Sequence, residues 1–137
     1  MRRRNGNINP PKVDILKIDK DCFCKPDLNR KYIETAINTC RRQGVKVIWI
    51  KSTRSRHGMH YYIKIDAPID AEAANNLQYI LGDDAKRVAF NRARIESELQ
   101  EWNKLFEKAN ATSRTVYRSE KSDSKYLGDF VKLNTAK

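Results

Sequence analysis

Glycine and proline are scarce, with five Gly and four Pro in 137 residues. That scarcity excludes a collagen-like or Pro/Gly-rich low-complexity chain. Cysteine is scarce as well, and its count of three is odd, which argues against a disulfide scaffold. No apolar run approaches the ~20 residues that a membrane helix needs. The charged N-terminus is not followed by the apolar stretch of a signal peptide. Hydrophobic residues, Tyr included, reach only 39%. Acid is the minority charge: 17 Asp+Glu against 28 Lys+Arg leaves a net +11. A basic cytoplasmic domain is expected, away from membranes and inside a cell, in some cases the host cell of a virus. Its size suffices to bury about two-thirds of its chain surface. The excess positive charge points to a polyanionic partner. DNA or RNA is preferred over an anionic membrane surface, because neutralising phosphates releases counterions.

The charge and the turn residues divide the chain. Residues 1–12, MRRRNGNINPPK, read as a flexible basic arm, with Arg2, Arg3, Arg4 and Lys12 and no acid. Residues 13–109 read as one domain, and 110–137 as a polar, mobile tail. Within the domain, VDILKI (13–18) predicts a strand. Pro26-Asp27 predicts a helix start, and apolar spacing carries that helix from Leu28 to Gln43, closed by Gly44. The near-continuous run Val45 to Lys51 predicts a central strand buried on both faces. STRSRHG (52–58) reads as a turn, and Met59 to Ile65 as the second strand of a hairpin. Alternation there places Met59, Tyr61, Ile63 and Ile65 on one face and His60, Tyr62 and Lys64 on the other. Asp70 predicts a helix N-cap, and Ala74, Leu77, Ile80 and Leu81 give the helix a face ending at Gly82. Asp84 would cap a further helix. Residues 104–108 could be helical or a last edge strand.

The order strand, helix, strand, strand, helix, strand predicts an α+β fold. The expected form is a ferredoxin-like, RRM-like βαββαβ antiparallel sheet with helices on one face and flexible basic termini. The open face of such a sheet can stack bases on aromatic residues. Tyr62 is the stacking candidate, flanked by His60 and Lys64, whereas Trp49 and Trp102 are expected in the core. Lys51, Arg54, Ser55, Arg56 and His57 would add backbone contacts from the hairpin, Arg being well shaped for phosphate. Arg2, Arg3 and Arg4 would add more from the arm.

Two constellations suggest chemistry. Asp19-x-Asp21 follows a strand, and carboxylates at i and i+2 of an extended chain point to one side. Such a pair suits Mg²⁺ or Mn²⁺. The turn Ser52 to His60 gathers hydroxyls, arginines, histidines and Gly58.

A hydrophobic strand ending in D-x-D, then a Ser-rich turn with G-x-H entering a strand, resembles the first two motifs of the archaeo-eukaryotic primase palm. The resemblance covers roughly residues 13–65. It implies catalytic roles for Asp19, Asp21 and His60, with the acidic pair as metal ligands and His60, with Ser55 or Ser52, on the nucleotide phosphate. The family's third acidic residue has no clear counterpart here. The span from Ser55 through Leu81-Gly82-Asp83-Asp84-x-x-Arg87 resembles small uncharacterised proteins of archaea, their viruses and phages, and implies a mobile-element origin.

The leading expectation is a nucleic-acid-binding protein associated with replication of an archaeal or viral mobile element. It requires no cofactor for binding. The alternatives are a minimal primase-like, metal-dependent nucleotidyltransferase, a structural or adaptor protein docking through Tyr126 to Val131, and a rolling-circle replication initiator. The last is disfavoured because His57 and His60, at i and i+3, cannot share a strand face. Zinc on Cys22, Cys24, His57 and His60 is disfavoured by the C-x-C spacing. Cys40, on an apolar helix face, is expected in the core.

Overall fold

The computed structural model describes residues 11–20, 26–55, 58–105 and 112–119, with backbone alone at 26–28. Strand β1 (Val13–Lys20) leads to helix α1 (Pro26–Arg42) and the hairpin of β2 (Val47–Arg54) and β3 (Met59–Ile69). Helices α2 (Ala71–Ile80) and α3 (Ala85–Glu96) follow, then β4 (Ser113–Arg118). The fold is α+β, with a four-stranded, fully antiparallel sheet.

Period-2 patterning builds the sheet. Leu16 and Ile18 of β1 lie opposite Ile63 and Tyr61 of β3, and all are fully buried. Ile50 of β2 faces Ile63 from the other side. Against these, α1 sets Ile33, Ala36 and Cys40, and α2 sets Ala74 and Leu77. Trp102 is fully buried in the same cluster. The hairpin is closed by the Ser55 N–H donating to the Gly58 carbonyl at 2.8 Å.

The run read as a strand buried on both faces is central, since β2 lies between β3 and β4, but it is not buried on both. Val47 pairs with Ile65 and Trp49 with Lys64, so a bulge lies between them. The extra residue lets Val47 and Ile50 both face the core, where a regular strand would oppose them. Trp49 thereby lands half-buried on the other face.

The helices stop where backbone chemistry allows. At the end of α1, the Gly44 N–H donates to the Arg41 carbonyl and the Val45 N–H to the Cys40 carbonyl. At the end of α2, Gly82 and Asp83 donate in the same way to Tyr79 and Gln78. Both are Schellman closures, which need a left-handed residue, and Gly44 and Gly82 supply it at φ +85° and +97°. Helix α3 closes identically, on Ile95 and Arg94, but through Glu98 at φ 61°. Asp70 and Asp84 occupy the expected N-cap positions with extended backbone, yet neither side chain makes a capping hydrogen bond.

The sheet order is β1-β3-β2-β4. The first half, with β3 between β1 and β2, matches the ferredoxin-like expectation. The last strand departs from it: β4 pairs with β2, whereas the ferredoxin-like order sets it beside β1. It also lies at 113–118, inside the segment read as a tail, and not at 104–108. Residues 104–105 are irregular, and 106–108 lie outside the described residues.

Side chains occupy the edge that β4 does not take. The Lys17 N–H donates to Gln78 Oε1 and the Asp19 N–H to Asp83 Oδ1, each at 2.9 Å. Arg87 Nη2 donates to the Lys17 carbonyl at 2.6 Å. Arg87 Nε also donates to both Asp83 oxygens, at 3.1 and 3.2 Å. Asn103 ties the set together, donating to Gln78 Oε1 and accepting from Arg87 Nη2. Behind it, buried Asn91 donates to Asn75, which donates to the Val88 carbonyl. The outward N–H and carbonyl of Lys17 and the N–H of Asp19 are thus satisfied by Gln78, Arg87 and Asp83, and no strand can pair at these positions without displacing them.

Candidate functional site

Direct cross-strand partners share a face. Opposite the core face, the register therefore sets Lys17 and Asp19 on β1, His60, Tyr62 and Lys64 on β3, and Trp49, Lys51 and Thr53 on β2. From β4 it adds Thr115, opposite Lys51, and Arg118, opposite Trp49. None of these residues belongs to the buried hydrophobic cluster beneath the helices.

Two regions of this face differ in character. At one end Asp19 and His60 are direct partners, with Asp19 Oδ1 3.5 Å from His60 Nε2. His60 is 7% exposed and Thr53, its partner on β2, 4%. Burial pushes the Asp19 carboxyl up. The His60 ring opposes that shift, while the carboxylates of Asp83 and Asp84 add to it. Of the expected catalytic residues, Asp19 and His60 are brought together, and Asp21 lies outside the described residues.

Among the described residues, no three His, Cys, Asp or Glu side chains form a metal-binding group. The neighbouring Asp83 carboxylate is already engaged by Arg87 and by the backbone N–H groups of Asp19 and Asp84.

The middle of the face is wetter. Trp49, Lys51, Tyr62 and Lys64 are all half-buried. The Lys51 ammonium lies 4.7 Å from the centre of the Trp49 ring. Lys64 pairs with the Asp14 carboxylate. Lys17 contributes less than its place suggests. Its ammonium donates to the Asn103 carbonyl at 3.1 Å, and burial lowers its pKa, with the nearby Arg87 charge assisting.

The hairpin end separates residues expected to act together. Arg54 pairs with Met59 and so belongs to the helix side of the sheet, although it is exposed. Ser55 holds the turn. Arg2, Arg3, Arg4, Arg56 and His57, together with Cys22 and Cys24, lie outside the described residues. The residue most clearly missed in the sequence is Trp49, read as core. The signal available was the lysine flanking it at position 51. Ile80, expected on the apolar face of its helix, is 54% exposed.

A cleft of about 440 Å³ lies on the helix side, bounded by Ile37 and Arg41 of α1, by Lys46 and Asp66, and by Tyr117 of β4. It contains none of the expected site residues. Among the described residues, no helix is long and apolar enough to cross a membrane. No family model, curated protein or solved structure matches the chain.

Proposed function

We propose that this protein binds nucleic acid through the sheet face opposite the helices. The observation that carries this reading is the composition of that face. Trp49, Lys51, Tyr62 and Lys64 sit together on the two inner strands, partly exposed, outside the hydrophobic core. Aromatic surface for bases beside cations for phosphates is the combination that single modules of this kind use. The net charge of +11 supports it, since a basic chain gains affinity for polyanions at long range. The link to replication of a mobile element, and the archaeal or viral origin, belong to this reading through the resemblance alone.

The test is titration of a labelled oligonucleotide across a salt series. If about six phosphates are neutralised, log affinity falls against log salt with a slope of about −4 to −5. A flat response overturns the reading.

A second reading, the primase-like nucleotidyltransferase, is favoured by one observation, the 3.5 Å approach of Asp19 to His60. It predicts Mg²⁺- or Mn²⁺-dependent nucleotide incorporation that Asp19→Ala abolishes. Nucleic-acid binding without incorporation leaves the binding module alone.

A further inference from the structure

We infer that the open face takes single-stranded nucleic acid in preference to duplex, with two bases of the strand stacked on Trp49 and Tyr62. This rests on the nucleic-acid reading above and names its substrate class. The register supplies the geometry. Trp49 lies directly opposite Lys64, and Lys51 directly opposite Tyr62. The four side chains therefore form a square in which the aromatics occupy one diagonal and the lysines the other. Diagonal neighbours on a sheet are about 7–8 Å apart. Successive residues of one strand in a duplex rise only about 3.4 Å. Bases that remain stacked in a helix cannot cover both rings, whereas a strand with splayed bases can.

The surroundings of the square favour the single strand. A duplex groove admits a helix or a two-stranded ribbon. Here β2 and β3 are the inner strands, flanked by β1 on one side and β4 on the other. Neither aromatic can be pushed into a groove without the whole sheet following. A splayed strand, by contrast, lies across a flat surface.

The lysines fit the same occupant. Lys51 covers the Trp49 ring in the free protein. A cation over an exposed ring is held more weakly than a base stacked on one. An incoming base therefore displaces the ammonium, which is then free to meet the adjacent phosphate. Arg118, opposite Trp49 on β4, extends the positive border of the square.

The full chain provides its own reporter. Of its two tryptophans, Trp102 is fully buried and Trp49 is not. Titration with a 12-nucleotide oligothymidylate, a 12-nucleotide oligouridylate and a 12-base-pair duplex should quench Trp49 with the single strands. Affinity for either single strand should exceed that for the duplex. Trp49→Leu and Tyr62→Leu, each checked for native circular dichroism, should each weaken single-strand binding by about fivefold to a hundredfold. Duplex binding equal to or tighter than single-strand binding overturns this inference and leaves the nucleic-acid reading standing. So does tight single-strand binding with no quenching of the unmodified protein, or unchanged by both folded variants. No salt-dependent binding to any of the three probes overturns both.

Discussion

Asp19 donates its backbone N–H to Asp83 Oδ1 at 2.9 Å, across 64 residues of sequence. The carboxylate that receives it has no exposed side-chain surface and is held in turn by Arg87, one helical turn on. This pair does for the outer edge of β1 what a neighbouring strand would otherwise do. Its worth is therefore larger than that of a surface ion pair, and it can be measured.

Replacing Arg87 with Met should destabilise the protein by about 3–5 kcal/mol, because Asp83 is left buried and charged without its counterion. The double variant Asp83→Asn/Arg87→Met should lose less than the sum of the two single changes. Urea denaturation of all four proteins checks both statements. A loss below about 1 kcal/mol for Arg87→Met would place the pair among ordinary surface bridges.

Gly44→Ala isolates the cost of a left-handed backbone. A Cβ built on Gly44 meets nothing within 4 Å, so no clash accompanies the substitution. The expected loss is about 1–2 kcal/mol. Gly44→Asn should lose less, since Asn tolerates this conformation better. Thermal melts of the three proteins suffice, and an unchanged midpoint for Gly44→Ala would contradict the Schellman assignment.

Asp19 predicts a pH dependence of definite sign. Burial is the leading cause that raises its pKa above the ordinary value of 3.8. The folded state therefore holds the proton more tightly than the unfolded chain. The contribution to stability is complete below the unfolded pKa and is lost as pH rises through the folded pKa. Asp19→Asn should accordingly be more stable than the parent at pH 7, with the difference vanishing toward pH 3. The backbone N–H that reaches Asp83 is untouched by this change. Denaturation curves at both pH values decide it, and a gain that is larger at pH 3 would reverse the assignment.

Cys40 should be inert in the native protein. Its side chain is fully buried, and burial pushes the thiol up to about 11. The thiolate is the reactive form, so native Cys40 should resist an alkylating reagent at pH 7.5 and react on denaturation. Peptide mapping of the modified sites separates it from Cys22 and Cys24. Alkylation of native Cys40 at the rate of an unfolded thiol would show that the α1 face opens readily.

Local signals made much of this fold legible. Gly44 and Gly82 mark two helix ends, and the alternation from Met59 to Ile65 sorts the two faces of β3 correctly. Strand β4 was not legible because SRTVYR is short, polar and basic, as suits an edge that pairs on one side. Trp49 is masked by the apolar run around it, with Lys51 alone marking its face, and the bulge that turns Val47 to the core is not announced in VKVIWIK. The β1 clamp was invisible for a different reason. Gln78, Asp83 and Arg87 look like ordinary helix-end residues, and their partners lie 61 to 70 positions away. At the site, Asp19 and His60 were legible as types, but their burial was not, since it depends on what packs over them.

The clamp on β1 also has a consequence in time. During synthesis, β1, α1, β2 and β3 leave the ribosome before Gln78, Asp83, Arg87 and Asn103. Chains emerge at about 5–20 residues per second. For some seconds, then, the nascent sheet presents Lys17 and Asp19 with bare backbone groups, a template for strands of neighbouring nascent chains. Fragments released before residue 78 should collect in the insoluble fraction, while the 137-residue chain, which carries its own seal, escapes that fate.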